Sequence, residues 1–143
     1  MINFPTIDIA ASGLAAERFR MEVTANNIAN ANTTMTENGE PYRRQAVVFS
    51  SLANPLFGSS GDEEMLGVKV MGVQNDPTEF PTIYQPGHPH ADADGFVKLP
   101  NVRIPDEMVD MITATRAYEA NTRAISAFKE MVEQTLSLLQ GGR

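Results

Sequence analysis

Two histidines and two aspartates fall within residues 88–94, in Gly87-His88-Pro89-His90-Ala91-Asp92-Ala93-Asp94-Gly95. No other stretch of this 143-residue chain gathers so many side chains able to do chemistry. His-x-His followed by carboxylates can hold a divalent metal. The hydrolase form of that pair sits at the end of a strand in a barrel of about 250 residues, and this chain is too short to build one. As a calcium loop the stretch places Asp92, Asp94 and Gly95 at the third, fifth and sixth positions. His90 and Asn101 then stand first and twelfth, where Asp and a bidentate Glu belong. A turn-rich surface loop is the simpler reading, and no metal site is assigned. Cysteine is absent, which removes thiol nucleophiles, zinc clusters and disulfides from consideration. Neither histidine has a Gly-x-Ser-x-Gly elbow beside it, and no phosphate loop or dinucleotide fingerprint occurs. The expectation is a chain with no catalytic residue, no cofactor and no metal.

The elements around this loop point elsewhere. One amphipathic stretch runs from about Ile7 to Asn32, with Ile7, Ala11, Leu14, Met21, Ala25 and Ile28 forming a heptad-like seam broken at Arg18. Pro5 and Asp8 suit its first turn. Gly13 costs about 1 kcal/mol against Ala in a helix interior, so a packing reason for it is expected. A second helix is expected from about Asp106 to Leu139, after Pro105. Its seam is Met108, Met111, Thr115, Tyr118, Thr122, Ile125, Val132, Leu136 and Leu139, widened by Ile112 and Phe128. At ~1.5 Å per residue it spans roughly 50 Å, longer than a globule this chain could make. Arg116, Glu119 and Arg123, at spacings of three and four, are either a solvated ion-pair face or contacts between subunits. The first helix runs into the Asn-rich stretch from Asn26 to Thr34, read either as a fraying turn or with Asn26 and Asn30, one turn apart, as hydrogen-bonding groups for adjacent subunits.

Between the helices the chain is rich in Pro, Gly and Asn. Asn38-Gly39 is a turn dipeptide. Strands are expected from Tyr42 to Ser50, over Leu66 to Val73, and from Phe96 to Leu99, with a loop from Ala53 to Glu64. Asn75 to Asp94 holds Pro77, Pro81, Pro86 and Pro89 and is expected to be extended and irregular. The fold class expected is therefore mainly α with a small β insertion. Residues 1–35 and 102–143 would form an antiparallel, coiled-coil-like helical hairpin, and 36–101 a β- and loop-rich outer insertion.

Charge follows the same division. Net charge is −7, and residues 33–101 hold nine acids against four bases, while both ends are nearly neutral. An acidic chain is a poor nucleic-acid binder, because phosphates are neutralised by Lys and Arg. No stretch approaches the ~20 apolar residues that span a bilayer, and the N-terminus lacks the basic start and apolar run of a secretory signal. Neither helix carries enough apolar surface to stand alone, so self-association is expected.

The ends also match a known pattern. Ser12-Gly13-Leu14-Ala15-Ala16-Glu17-Arg18-Phe19-Arg20, leading to Val23-Thr24-Ala25-Asn26-Asn27-Ile28-Ala29-Asn30-Ala31-Asn32-Thr33, resembles the N-terminal signature of bacterial flagellar rod and hook proteins. Glu107-Met108-Val109 and Arg116-Ala117-Tyr118-Glu119-Ala120-Asn121 are similar to the C-terminal signature. Gly39-Glu40-Pro41-Tyr42-Arg43-Arg44, Tyr84-Gln85-Pro86-Gly87-His88-Pro89 and the run from Ala91 to Val102 are similar to the short, proximal rod members. The resemblance implies a structural subunit of the basal-body rod, polymerised helically in the periplasm and exported by the flagellar type III apparatus without signal cleavage. Implied neighbours are further copies, the rod proteins FlgB, FlgF and FlgG, FliE and the MS ring. Subunit-packing residues expected on this basis are Leu14, Met21, Asn26, Asn27, Ile28, Asn30, Met108, Met111, Arg116, Tyr118, Asn121, Ile125, Phe128, Val132 and Leu136. The competing readings are another axial protein of this family or a small metal-dependent enzyme.

Overall fold

The computed structural model describes residues 5–53 and 65–141; most of the loop expected from Ala53 to Glu64 lies outside them. Helix α1 runs Pro5–Ala29 and helix α2 Ile104–Gly141. Pro5 and Pro105 both fall in a first turn, where a missing N–H costs nothing. In α2 the Arg103 carbonyl accepts the Asp106 and Glu107 N–H groups, and the acids of both first turns, Asp8, Asp106 and Glu107, oppose the positive helix end. The Asn run does end α1. The Asn26 carbonyl accepts both the Asn30 N–H at 3.1 Å and Asn30 Nδ2 at 3.0 Å, and Nδ2 also donates to Asn26 Oδ1 at 2.9 Å, so the last turn is closed by backbone and side chain of the same residue.

Among the described residues, four strands lie between the helices: β1 (Gln45–Ala53), β2 (Met65–Asn75), β3 (Thr82–Tyr84) and β4 (Phe96–Lys98). They form two sheets, β1 with β2 and β3 with β4. The second pair is antiparallel, with Ile83 opposite Val97 and Tyr84 opposite Phe96. A mainly α chain with a small β insertion and a coiled-coil-like hairpin is therefore corrected to two helices flanking a two-sheet β region. The longer strands have nine and eleven residues. Gly67 and Gly72 lie inside β2 at φ +112° and +149°; glycine there bends the strand without ending it. β3 was not expected at all. Thr82, Ile83 and Tyr84 all favour a strand, but Pro81 and Pro86 leave room for only a short run, which its ladder with β4 fixes.

The helix seams are also rotated from those expected. Buried positions on α1 are Ala10, Ala16, Val23, Thr24 and Asn27, while Ala11 and Ala25 are exposed. On α2, Glu107 and Ala114 are buried, Met111, Tyr118, Ile125 and Val132 are half-buried, and Met108, Thr115, Thr122 and Leu136 are exposed. Small side chains face inward because close approach needs them there. A Cβ on Gly13 would lie 2.9 Å from Asn121 Nδ2, which is the packing reason expected for that glycine.

The chain divides into two units. One comprises Met1–Arg18, Phe49–Met71 and Ala114–Arg143, the other Phe19–Val48 and Gly72–Thr113. In the first, Ser12 Oγ donates to the Ile9 carbonyl at 2.7 Å and accepts the Val68 N–H at 3.0 Å, so one hydroxyl fastens β2 to α1. In the second, the Asp76 N–H donates to the Arg44 carbonyl at 2.8 Å, setting the residue after β2 beside the residue before β1.

Candidate functional site

The second unit is organised around polar groups. Its largest fully buried side chains are Glu107, Val97 and Asn27, two of them polar. Buried polar groups are costly unless every bond is made, and here they are made. Asn27, 1% exposed, uses its whole amide. Nδ2 donates to the Gln45 carbonyl at 2.8 Å and to Glu107 Oε2 at 2.9 Å. Oδ1 accepts the Gln45 N–H at 3.0 Å and the Tyr42 hydroxyl at 2.9 Å. The side chain thus pairs with both backbone groups of the first residue of β1, as a neighbouring strand would. Aspartate has no donor for the Gln45 carbonyl and would repel Glu107.

Glu107, also 1% exposed, offers its other oxygen to Arg44. Arg44 Nε donates to Oε1 at 2.6 Å, a short charge-assisted bond. The same guanidinium reaches Asp110 at 3.2 Å and Asp76 at 3.7 Å, and Arg20 lies 3.8 Å from Asp110. The Arg44 N–H donates to Asn101 Oδ1 at 2.7 Å, and Asn101 Nδ2 donates to Thr78 Oγ1 at 2.9 Å. Arg43 lies 4.2 Å from the centre of the Phe80 ring and donates to the Asp76 and Thr78 carbonyls. Two helices, the start of β1 and the segments at 76–80 and 101 are tied by one network.

The electrostatics agree with this geometry. Burial alone would lower the Arg44 pKa, but the Glu107 bond and the charges of Glu107, Asp110 and Asp76 outweigh it and raise it. Burial, then the Glu107 charge, pushes Tyr42 up, so its hydroxyl remains a donor. Asp76 is held below its ordinary value by Thr78, whose hydroxyl and N–H donate to Oδ1 at 2.7 and 2.9 Å; burial opposes this less strongly, and the charges of Arg44 and then Arg43 add smaller downward contributions. A lowered carboxyl pKa stabilises the fold above the unfolded value, and that contribution is lost as pH falls through the folded value. Asp76→Asn is expected to weaken the protein at pH 7, and the difference from wild type is expected to begin shrinking only as pH falls below the ordinary carboxyl value of about 4, toward the lower folded value; urea melts at pH 7, 4 and 3 test this.

The histidine loop is built from turns. Asp92 Oδ1 accepts the N–H groups of Asp94 and Phe96 at 3.0 and 2.8 Å, an aspartate turn. Gly95, at φ +83°, lies against Tyr84, where a Cβ would meet the ring at 2.9 Å. His88 Nδ1 accepts the His90 N–H at 3.1 Å, and His90 Nδ1 lies 2.8 Å from Thr34 Oγ1. Among the described residues no group of three or more His, Cys, Asp or Glu side chains is placed to hold a metal.

The residues singled out for subunit packing differ in exposure. Leu14, Met21, Ile28, Asn30, Met111, Tyr118, Asn121, Ile125, Phe128 and Val132 are half-buried. Asn26, Met108, Arg116 and Leu136 are exposed, and Asn27 faces its partners within the chain. Glu119 and Arg123 form an exposed ion pair at 3.7 Å. Sequence reasoning missed Arg44, Tyr42, Asp76 and Asn101 as a group. Their one local signal was Tyr42-Arg43-Arg44 ahead of an apolar strand, which does not reveal partners more than 50 positions away.

Comparison with known families agrees with this arrangement of ends. Residues 7–34 match the family described as flagella basal body rod protein, and residues 93–138 the C-terminal family of flagellar basal body rod FlgEFG proteins. The two helical ends therefore define a flagellar basal-body rod protein. The flagellar basal-body rod protein FlgC of Borreliella burgdorferi is 41% identical, over 96% of this chain and 98% of its own length. That of Bacillus subtilis is 40% identical over 96% and 99%, and that of Aquifex aeolicus 42% over 92% and 93%. This chain belongs to the FlgC family. It is a structural subunit of the rod in the flagellar basal body.

Proposed function

We propose that this subunit polymerises helically into the proximal rod, with residues 1–35 and 102–143 inward and 36–101 outward, forming part of the drive shaft and of its export channel. Its neighbours are further copies, FlgB, FlgF, FlgG, FliE and the MS ring. It leaves the cytoplasm through the flagellar type III apparatus without signal cleavage. The role is mechanical, with no catalytic step and no cofactor.

One observation carries this reading. Helix α2 exposes apolar side chains along its length: Met108 at 54%, Ile112 at 52%, Met131 at 57%, Leu136 at 52% and Leu138 at 77%. At ~1.5 Å per residue its 38 residues extend about 57 Å, and apolar groups left in water along such a length favour burial against other subunits. No helix among the described residues is long and apolar enough to cross a membrane, so lipid is not what covers them in this reading. Exposed Met108, Arg116, Leu136 and Asn26 are the first contacts to test, with the half-buried Leu14, Met21, Ile28, Tyr118, Asn121, Ile125, Phe128 and Val132 beside them.

Met108→Asp combined with Ile112→Asp is expected to abolish swimming and incorporation into purified basal bodies. Both side chains are exposed in the subunit, so the variant's circular dichroism and solubility are expected to stay those of the wild type. Normal incorporation would refute the reading.

A further inference from the structure

Between α1 and β1 the chain doubles back in a small hairpin. The Tyr42 N–H donates to the Thr33 carbonyl at 3.0 Å, and the Thr36 N–H to the Glu40 carbonyl at 2.8 Å. Glu37, Asn38 and Gly39 are left at the tip. Gly39 has φ +77°, the left-handed conformation that a hairpin loop of this length gives to glycine. Its N–H donates to the Thr36 carbonyl at 2.9 Å, and the Thr36 hydroxyl donates to the Glu40 carbonyl at 2.9 Å. Asn38 and Gly39 are both exposed, and nothing stands within 4 Å of the Gly39 Cβ position. Asn38 is the only asparagine in the chain that precedes a glycine. Every other one is followed by a residue whose side chain crowds the next peptide nitrogen.

We propose that Asn38 is a site of spontaneous deamidation, and that the turn from Thr36 to Glu40 keeps the reaction slow. The Gly39 peptide nitrogen gives up its proton to solvent and bonds to Asn38 Cγ. The Cγ–Nδ2 bond breaks and ammonia leaves, closing a five-membered succinimide. Water then opens the ring at either carbonyl, to aspartate or to isoaspartate. One water is consumed, one ammonia is released, and nothing is oxidised or reduced. Asparagine is a thermolabile residue, and glycine after it removes the Cβ that would shield the attacking nitrogen. The turn works against the attack. The proton that must leave is held by the Thr36 carbonyl, so reaction waits on local opening, and the Thr36 hydroxyl helps to keep the turn shut. Either product sets a new negative charge beside the exposed Glu37 and Glu40, where like charges repel. Isoaspartate also inserts a methylene into the main chain, so the Gly39 and Thr36 bonds no longer close together. The lesion lies near Tyr42, whose hydroxyl donates to Asn27 at 2.9 Å. Nothing in this chemistry depends on polymerisation.

The purified full chain, held at one mildly alkaline pH either folded or unfolded in guanidinium chloride, tests this by peptide mass spectrometry over time. The mass gain of amide-to-acid conversion is expected on the peptide containing Asn38 before any other. It should accumulate at least about tenfold more slowly in the folded chain. Thr36→Val removes one bond of the turn and is expected to speed the folded reaction about two- to tenfold, whereas Thr36→Ser keeps the hydroxyl and the wild-type rate. Unfolded, all three chains should react alike. A first gain at another asparagine overturns the site. Equal rates in the folded and unfolded wild type overturn the guarding turn, with no variant needed. An unchanged rate in Thr36→Val, or one raised equally in Thr36→Ser, overturns the role of the hydroxyl.

Discussion

Glu107→Ala is expected to destabilise the subunit by about 3 kcal/mol, the lower end of the range for breaking a buried ion pair. The carboxylate is 1% exposed and holds Arg44 at 2.6 Å and Asn27 at 2.9 Å. Removing it leaves a cavity, an Asn27 N–H without its acceptor and an Arg44 guanidinium short of its nearest charge. Asp110 at 3.2 Å and Asp76 at 3.7 Å still face Arg44, which is why the loss stays at the lower end. Glu107→Gln should recover only part of it. Glutamine supplies one acceptor oxygen where two donors arrive, so its own amide N–H meets either Arg44 Nε or Asn27 Nδ2. Urea unfolding of the purified proteins, followed by circular dichroism, gives the order wild type, Gln, Ala. An alanine variant within about 1 kcal/mol of wild type would mean the network contributes no more than an average single bond.

Among the glycines whose surroundings the structure describes, Gly67 is expected to tolerate an added methyl least. Gly67 sits at φ +112°, and an added Cβ would overlap Ser12 Oγ and lie 3.4 Å from the Ile9 Cα. Backbone strain at such an angle costs about 1–3 kcal/mol, and overpacking adds about 1–3 kcal/mol. The displaced hydroxyl is the one that accepts the Val68 N–H, so the tie between β2 and α1 goes too. Gly72→Ala is the control. It also has a positive φ, +149°, but nothing stands within 4 Å of its Cβ position, and only the conformational cost remains. Motility in soft agar and recovery of subunit in basal bodies should fall much further for position 67 than for 72. Ser12→Ala in the Gly67→Ala background removes the overlapping oxygen and is expected to restore part of the loss. Equal defects at 67 and 72 would show that the contact with Ser12 is irrelevant.

Much of this chain is readable from residues in their local order. Pro5 and Pro105 mark the helix starts, the Asn run marks the end of α1, Asn38-Gly39 marks a turn, and the apolar runs before Ser50 and after Met65 mark strands. The rod-family signatures at the two ends, and with them the role as a structural subunit, are likewise carried by the order of residues. Each of these depends on groups within a few positions of one another. The balance of helix and sheet was misjudged because β3 is too short a run to stand out without its ladder with β4, and β2 continues past two glycines only because β1 supplies its partners.

Which face of each helix turns inward was decided by the tertiary structure. A heptad pattern marks where the large apolar side chains are, but in α1 the face that allows close approach is the one with Ala10, Gly13 and Ala16. The central network was hidden for the same reason. Asn27 reads as one more residue in a fraying turn until Gln45, 18 positions on, and Glu107, 80 positions on, are brought against it. A side-chain amide can bond to water, to a neighbour or to a distant strand with similar strength, so local order does not choose among them. The fold chooses, because only it excludes the water.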